Sequence, residues 1–559
     1  MCFDEQDEAE IRWNETSKGA IRAMKRHDTL TTVGAVLLAA SLLLSACGSS
    51  AAAGNDAAGQ SSAQSSETKV SENSSESEAA KTEESADPMV VTIARGTDTV
   101  TLDPAFAGDN VDIWVDSLIF EGLVRASEDG KEIQPCLADS WEISDDELTY
   151  TFHIRDGAKF SDGSDVTAED AAFSINRALQ DGSWSSLISC VKEAKAVDDR
   201  TVEIDLNNPS GSLLSCLASF ICAIYPESYY SAADADTLTR SPLGTGTFYL
   251  EEWDPDEKMI LKKNPYYWDA GYPLADEIDL LVVPDDNTRL MQLQAGQIDA
   301  MEGVSAQMRE QLQNTQGVRV IDFPTTHVDY VSFNYTNEKL NDKRVRQALN
   351  YATNREDINK AVFGGLGTLC PSIVWPTAEF FNPDQKSYDY DPDKAKELLA
   401  EAGAENLDLN LIISTGDASS LMEATILKDQ WSKVGVNLDI EQMVFSARRD
   451  ARNNLTFEVL LNYFTSDITD TAENMEMFCI KDNFDCWHLG WNGADQEEAE
   501  KLVKEAGATN DKEIRKRDYY KAQEIMADNA LIIPLATLPE TVAVRDNVSG
   551  FKQGILGNY

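Results

Sequence analysis

The sequence is short of basic residues, of histidines and of any familiar catalytic motif. Lys and Arg total 47 against 97 Asp and Glu, so the formal net charge is -50, and the 559 residues include 4 His. Because so strong an acid excess repels phosphate backbones, we expect no nucleic-acid partner. The patterns GxSxG, HExxH and the Walker glycine loop are absent, and so few histidines leave little room for acid–base catalysis. These absences favour a binding protein over an enzyme.

Cysteines are also few and irregularly spaced. The sequence has 9, two of which precede position 48, and the others contain no CxxC pattern. With so few histidines beside them, this argues against a structural zinc site, and we expect no metal and no cofactor. Pairing of Cys216 with Cys222, or of Cys479 with Cys486, stays open for a protein outside the cytoplasm. We expect mostly free, buried thiols instead.

The apolar run near the start is too short to cross a bilayer as a stable helix. It covers 33–44, follows a basic run at 24–26 and ends in Leu-Ser-Ala-Cys at 44–47. This order is typical of a cleaved export signal, here at 24–46. The ending resembles a bacterial lipobox, which implies that Cys47 is lipidated, becomes the new N-terminus and anchors the protein to the membrane.

Two further segments at the start carry no signal of a fold. Residues 1–23 are acidic and lack signal character, so we expect them to reflect an upstream start codon. Residues 47–88 are rich in Ser, Ala and Glu and contain no aromatic residue. Such a composition buries too little apolar surface to offset the entropy of ordering, so we expect a disordered tether.

The remainder is too long for one hydrophobic core and alternates between strand and helix patterns. Leu407–Ser414 and Val436–Val444 have strand patterns, and a helical segment over Ala418–Val434 lies between them. Short connections between alternating elements predict an α/β lobe.

The segment 323–358 predicts a crossing between two lobes. Its first half, 327–335, alternates in the manner of a strand, and Asp342 is placed to cap the helix that follows. Apolar residues recur at helical spacing on one face of this helix, so we expect Arg346 and Arg355 to face solvent. A strand that runs directly into a capped helix in the middle of a long chain suits a passage from one lobe to the next.

Four blocks of the sequence resemble the family 5 extracellular solute-binding proteins. They are FNYTN and LNDKRVRQALNYATNREDI within 333–358, and residues 133–178, 242–268 and 532–535. Members of this family are receptors of ABC importers for oligopeptides, dipeptides and, in some cases, nickel complexes. The resemblance implies an α/β, two-lobed fold like that of the periplasmic binding proteins (type II, cluster C). It also implies an extra subdomain in the first lobe and a hinge of two crossing segments.

The same resemblance divides the folded part into lobes. We expect lobe I at 89–130 and 241–332, its extra subdomain at 131–240, lobe II at 333–533, and a return to lobe I at 534–559.

The resemblance places the main ligand contacts at the end of a predicted strand. In peptide-binding members the first Asp of a segment written gW..DypDP holds the peptide amine, and the residues before it pair with the peptide backbone. By position, Asp467 is the amine partner, and Tyr463 and Thr465 are the backbone partners. Phe464 occupies the position where the family has Trp, so the resemblance places Phe464 beside the ligand. Asp470 matches the second Asp, which we interpret as structural.

Two other residues are candidate ligand contacts. Asn110 ends the loop 106–110, which matches a segment that lines the cleft in the family. Trp375 is one of three tryptophans that are candidates to stack on sugar rings, as aromatic platforms do in saccharide receptors.

One departure from the family bears on ligand length. Dipeptide-binding relatives hold the ligand carboxylate with an arginine near 414–417, where this chain has Ser-Thr-Gly-Asp. A buried carboxylate without a partner is costly, so the sequence favours longer peptides over strict dipeptides. Arg448, Arg449 and Arg452 stay open as substitutes.

We therefore expect a monomeric, lipid-anchored receptor on the outer face of the bacterial cell membrane. It would bind short peptides in a cleft and deliver them to the permease and ATPase of an ABC importer. The alternative is the same fold binding a nickel or other metal chelate, haem or an oligosaccharide, and a second alternative is a surface scaffold lipoprotein without a role in transport.

Overall fold

Strands with alternating apolar residues build most of the folded part. The structure, a computed structural model, describes residues 88–557. Within that range the strands form sheets of seven, five, four and two strands. None of the helices described there is long and apolar enough to cross a membrane. Cys47, the segments 1–23 and 24–46, and all of 47–88 except its last residue lie outside the described residues.

The elements are numbered in chain order. The strands are β1 Val90–Arg95, β2 Val124–Ala126, β3 Ile133–Pro135, β4 Ala138–Ile143, β5 Thr149–Ile154, β6 Val191–Asp198, β7 Thr201–Leu206, β8 Phe248–Asp254, β9 Lys258–Lys263, β10 Glu277–Val282, β11 Ala300–Met301, β12 Val318–Phe323, β13 Val328–Phe333, β14 Leu407–Ser414, β15 Val436–Met443, β16 Val459–Phe464, β17 Ile532–Thr537 and β18 Glu540–Arg545. The α-helices are α1 Asn110–Ile119, α2 Ala168–Asp181, α3 Leu213–Leu217, α4 Glu227–Tyr230, α5 Ala235–Arg240, α6 Asp286–Ala295, α7 Ala306–Gln313, α8 Lys343–Tyr351, α9 Arg355–Val362, α10 Pro392–Ala402, α11 Ala418–Ser432, α12 Phe445–Asn453, α13 Ala472–Cys479, α14 Phe484–Leu489, α15 Ala494–Gly507 and α16 Lys512–Asp528.

The seven-stranded sheet, in the order β12-β18-β11-β1-β10-β9-β8, joins strands from both ends of the fold. β1 lies at its centre and is parallel to β10 and β11, while β18 pairs antiparallel with β11 and β12. Ile93, Leu280 and Val544 belong to the buried apolar cluster of this sheet. The first and last strands of the fold therefore share one layer.

The four-stranded sheet, in the order β4-β5-β7-β6, is antiparallel and is covered by α2. Along β5, Tyr150, Phe152 and Ile154 are buried, and the residues between them are only half-buried, as the two-residue period of a strand requires. A capping box begins α2, because Thr167 Oγ1 accepts the N–H of Asp170 at 3.2 Å and Asp170 Oδ2 accepts the N–H of Thr167 at 2.9 Å.

The five-stranded sheet, in the order β15-β14-β16-β13-β17, contains the predicted α/β alternation. β14 is parallel to both β15 and β16, and β13 is antiparallel to β16 and β17. Helix α11 connects β14 to β15 and buries Trp431 against this layer. The alternation that the sequence predicts over 407–444 is confirmed.

Two short segments connect the seven-stranded and five-stranded sheets. Residues 324–327 lead from β12 to β13, and residues 538–539 lead from β17 to β18. These two crossings are hydrogen-bonded to each other, because Thr325 Oγ1 donates to Leu538 O at 2.6 Å and Leu538 N donates to His327 O at 3.0 Å. Side by side, they have the arrangement of a two-segment hinge between lobes.

The chain passes from one large sheet to the other at positions that differ from the predicted lobe boundaries. The boundaries after 332 and 533 fall inside β13 and β17, which pair with each other within the five-stranded sheet. The chain changes sheet earlier, at 324–327, and returns later, at 538–539. The predicted strand at 327–335 thus belongs to the second sheet from its beginning.

Arg346 does not face solvent, which corrects the expectation from helical spacing. It is 2% exposed, and its guanidinium donates to Leu340 O at 2.7 Å and to Asn529 O at 2.9 Å. Arg355 likewise turns inward and donates to Pro534 O at 2.6 Å. Both arginines donate to backbone carbonyls within the fold, which offsets the cost of burying their charge.

The seven cysteines of the described residues are free, and all of them except Cys190 are buried. Burial raises the pKa of the Cys222 thiol to about 12, so this group stays protonated. The expectation of mostly free, buried thiols is confirmed for this part of the chain.

Candidate functional site

The carboxyl ends of three parallel strands and both crossings meet at one edge of the five-stranded sheet. β14 lies between β15 and β16 and is parallel to both, so Ser414, Met443 and Phe464 end at the same side. The register of β13 places Val328 opposite Phe464 and Thr537, so both crossings leave from that side. We call it the cleft edge. Open α/β sheets bind ligands outside the carboxyl ends of their strands.

A cavity of about 720 Å³ adjoins the cleft edge. It is lined by residues of α1, by the crossing 324–327, by the loop after β16, by the start of β18 and by residues 548–557. Strand residues of the seven-stranded sheet and connections of the five-stranded sheet therefore both contribute to its wall. Its volume lies within the range of small-molecule sites, about 300–1,000 Å³.

The loop after β16 presents Asp467 to this cavity. The crossing holds the loop in place, since the N–H of Ser466 donates to Thr326 Oγ1 at 2.8 Å. The N–H of Asp467 donates to Glu473 Oε2 at 2.8 Å. Burial raises the pKa of Asp467 to about 7. A cation that entered the cavity would favour the charged form of this acid.

Asp470 fixes the other end of the same loop. Its Oδ1 lies 2.7 Å and its Oδ2 3.0 Å from the guanidinium of Arg515 on α16. The two side chains are only 9% and 5% exposed. Asp470 Oδ1 also accepts the N–H of Ala472 at 2.8 Å. Asp470 is thus structural, as the sequence predicts.

The other residues predicted near Asp467 point in different directions. Thr465 lines the cavity. Tyr463 is 62% exposed, and its ring stacks on that of His327 with the centroids 4.8 Å apart. Phe464 packs edge-on against Phe478 with the centroids 5.6 Å apart, so its ring belongs to the core and not to the cavity wall.

One side of the backbone at the end of β16 has no strand partner within 88–557. The ladder between β14 and β16 includes Val459 and Leu460 and stops there. Arg448 of α12 donates to Leu461 O and, at 2.8 Å, to Asn462 Oδ1. An open strand edge can pair with an extended chain through main-chain hydrogen bonds.

Asn110 and Trp375 lie in different places. Asn110 is exposed, begins α1 and lines the cavity. Trp375 is 2% exposed and packs within the apolar core beside the five-stranded sheet. The structure therefore does not bring Trp375 to the cavity, because its ring is surrounded by apolar side chains.

Three titratable residues that the sequence did not single out also belong to this region. His327 and Glu540 line the cavity from either side of the hinge. Burial raises the pKa of Glu540, and nearby His327 opposes that shift. Glu473, which supports Asp467, is 2% exposed. No spacing rule reveals Glu473, because its contact depends on the turn between β16 and α13.

Acidic residues outnumber basic ones in the cavity lining. The acids are Asp116, Glu121, Glu128, Asp269, Asp467 and Glu540, and the basic residues are Arg125, His327 and Lys552. This balance favours a cationic group in the ligand. Within 88–557, no group of three or more His, Cys, Asp or Glu side chains is arranged to hold a metal ion.

Known proteins resemble this chain over most of its folded part. The model of the bacterial extracellular solute-binding proteins, family 5 (middle region), matches residues 132–486, which is more than half of the chain. Heme-binding protein A of Haemophilus influenzae is 29% identical over 469 residues, which cover 78% of this chain and 85% of that protein. The dipeptide-binding protein of Escherichia coli is 29% identical over 481 residues, which cover 79% of this chain and 88% of that protein.

A solved structure shows the same architecture. The ABC transporter-associated periplasmic binding protein DppA from Helicobacter pylori, in complex with the peptide STSA, is 28% identical with a TM-score of 0.71. The match covers 83% of this chain and 96% of that chain, so it extends over both large sheets and the hinge. The two-lobed α/β fold is therefore shared.

Proposed function

Because this chain belongs to the bacterial extracellular solute-binding proteins of family 5, we propose that it captures short peptides in the cavity at the cleft edge. We further propose that it is anchored through lipidated Cys47 and delivers the peptide to the permease and ATPase of an ABC importer. The observation that carries the choice of ligand is Asp467, a carboxyl group that lines the cavity and whose pKa burial raises to about 7.

A short peptide presents two groups that this cavity complements. Its N-terminal ammonium requires a carboxylate, which Asp467 supplies. Its backbone requires a strand edge, and the end of β16 at Tyr463, which Thr465 follows closely, lacks a strand partner on the side of β14. Asn110 faces the same cavity from α1 and is available for a polar contact.

We propose oligopeptides rather than strict dipeptides as ligands. Where dipeptide-binding relatives have an arginine, Asp417 caps α11 by accepting the N–H of Ser420 at 2.9 Å. Arg448 is already engaged with Leu461 O and Asn462. A ligand carboxylate buried beside Asp417 would be unpaired, whereas a longer peptide keeps its C-terminus in a wetter region.

A melting experiment tests the choice of ligand. The protein is heated alone and with a saturating pool of synthetic tri- to hexapeptides, and haemin, a nickel–histidine chelate and oligosaccharides are the comparators. A ligand at about a hundred times its Kd stabilises the folded state by about 2.7 kcal/mol, so the melting temperature should rise with peptides. A rise with one comparator and none with peptides would replace the peptide by that ligand, and no rise with any of them would favour the scaffold.

The anchor is tested separately in cells. The wild-type protein should partition into the membrane fraction and into the detergent phase of a phase separation. Cys47→Ser removes the sulfur that would carry the lipid, so that variant should lose this partitioning. Equal partitioning of the two proteins would contradict lipidation at Cys47.

A further inference from the structure

Glu473 is buried directly behind Asp467. It is 2% exposed, lies in the first turn of α13, and its Oε2 accepts the N–H of Asp467 at 2.8 Å and that of Ile468 at 3.1 Å. The charge of the Asp467 carboxyl group also acts on that of Glu473 behind it. Two ionised carboxylates held this close repel each other and have no donor between them, so this burial favours a proton on one of the two groups.

The proton belongs on Glu473, the more deeply buried acid. Burial raises the pKa of Glu473 well above its ordinary value, and the charge of Asp467 raises it further. Glu476, one turn later on the same helix, adds to the negative surroundings. Arg515 is the cation beneath this loop, but it is already paired with Asp470. Glu473 therefore stays neutral while Asp467 is ionised.

The groups that face the pair from other elements do not change this assignment. On the hinge side, His327 Nε2 lies 3.1 Å from Asp329 Oδ1, so its ring is engaged there. Glu540 lines the same cavity from β18 and adds no positive charge. Beneath the helix, the Cys216 thiol donates to Leu187 O at 3.3 Å and the Tyr519 hydroxyl accepts from Arg515 at 3.4 Å, so both are engaged away from Asp467.

We propose that Glu473 is kept as a neutral acid whose O–H donates to the Asp467 carboxylate, so that the pair presents one negative charge to one cationic amine. This inference rests on the proposed function, because the amine is that of the peptide. Glu473 acts through Asp467 and is a positioning residue. A site with a single negative charge suits an ammonium group, whereas two ionised carboxylates would suit a divalent cation.

Binding of the amine is then linked to a proton. Where Asp467 is protonated in the free protein, its O–H bond breaks when the ammonium binds, and one H⁺ leaves to solvent while Asp467 becomes the carboxylate of the ion pair. No electron is transferred. The affinity for free-amine peptides should rise with pH up to the pKa of Asp467, about 7, and level off above it. The limiting slope is about tenfold per pH unit.

Isothermal titration calorimetry with the peptide pool, at about pH 6 and about pH 8.5, tests the role of Glu473. Glu473→Gln keeps a neutral donor of the same shape, so the affinity should stay within about threefold of the wild type. Glu473→Met keeps the volume and loses the donor, which raises the pKa of Asp467. Its affinity should therefore fall about tenfold at the lower pH and largely recover at the higher one.

Matched controls separate this role from a merely structural one. Glu476→Gln removes a half-buried acid of the same helix that makes no hydrogen bond to Asp467, so the pH dependence should stay that of the wild type. The same pool with acetylated N-termini should show no pH dependence in any of these proteins. A loss of about tenfold or more in Glu473→Gln at both pH values would mean that Glu473 is an ionised counter-charge, and would overturn the proposal. A pH-independent loss in Glu473→Met, or no loss, would also overturn it.

A titration without ligand distinguishes failure of this inference from failure of the proposed function. In the free protein, a carbon-13 carboxyl resonance of one Glu should stay in its neutral form to above about pH 8 and should disappear in Glu473→Gln. If peptides do not bind but this resonance is present, the proposed function fails and the neutral Glu473 stands. If the resonance is absent, the inference fails whatever the ligand.

Discussion

Among single residues, Asp467 is expected to contribute most to ligand affinity. In Asp467→Ala, the peptide ammonium would be buried without a counter-charge, and such a loss costs about 2–5 kcal/mol, or about 30-fold or more in Kd. Peptides with an acetylated N-terminus never make this contact, so their affinity should hardly change. Calorimetry of both peptide pools at about pH 7.5 measures the difference.

Asp269→Ala is the matched control for that comparison, because Asp269 is another acid of the same cavity lining. It comes from the segment between β9 and β10, away from the loop that carries Asp467. Its removal should affect free and acetylated peptides alike. If Asp467→Ala also weakened both pools equally, Asp467 would have no role as the partner of the amine.

The candidate site was predictable where it depends on a local motif and not where it depends on packing. Position in the motif selects Asp467 and Thr465, and both line the cavity. The prediction for Trp375 rests on its ring alone, and a large aromatic ring packs into a core as readily as it lines a cavity. Glu473 was missed, because an acid six positions after Asp467 becomes its neighbour only when the intervening turn folds back.

At the scale of elements, helix α16 anchors the loop that carries Asp467 through the Asp470–Arg515 pair. Asp470→Asn would leave Arg515, whose side chain is 5% exposed, without its counter-charge. Breaking a buried pair in this way costs about 3–5 kcal/mol of unfolding free energy. Denaturant titration should therefore show a lower midpoint, and peptide affinity should fall as well because the loop loses one of its supports.

The pair of Lys521 and Glu524, also on α16, gives the comparison for a surface contact. Its side chains are 54% and 51% exposed, and the charged atoms lie 3.0 Å apart. Lys521→Ala should change the unfolding free energy by less than about 1 kcal/mol, since water screens exposed pairs. A loss of similar size in Asp470→Asn would show that the Asp470–Arg515 pair does not hold the loop.

Elements were predictable where short-range periodicity decides them. The predicted strand Leu407–Ser414 has the observed bounds, and the helix predicted to end at Val434 ends at Ser432. Arg346 was placed wrongly, because its acceptor at Asn529 is 183 positions away in sequence. A helical wheel shows which residues are polar but not whether a distant carbonyl needs a donor. The points where the chain changes sheet differ from the predicted lobe boundaries for the same reason, since strand pairing is a long-range property.

For the whole molecule, the two crossings determine how the lobes can move. Each consists of a few residues at the cleft edge, and hydrogen bonds between Thr325, His327 and Leu538 tie one to the other. Hinges of this kind absorb the backbone change while the packed sheets move as bodies. The loop that carries Asp467 is bonded to the first crossing through Thr326. Ligand binding at Asp467 would therefore take place one residue from a hydrogen bond to the hinge.

Peptide binding should close the lobes. An ammonium drawn to Asp467 and a backbone paired with the end of β16 would gain further contacts with α1 only when the two walls of the cavity approach, so the closed form binds more tightly. Small-angle X-ray scattering should show a smaller radius of gyration with the saturating peptide pool, with an interlobe displacement of more than about 2 Å. Asp467→Ala at the same peptide concentration should keep the ligand-free radius. An unchanged radius in the wild type, under conditions where calorimetry detects binding, would mean that the cavity is preformed and that the crossings are rigid connections.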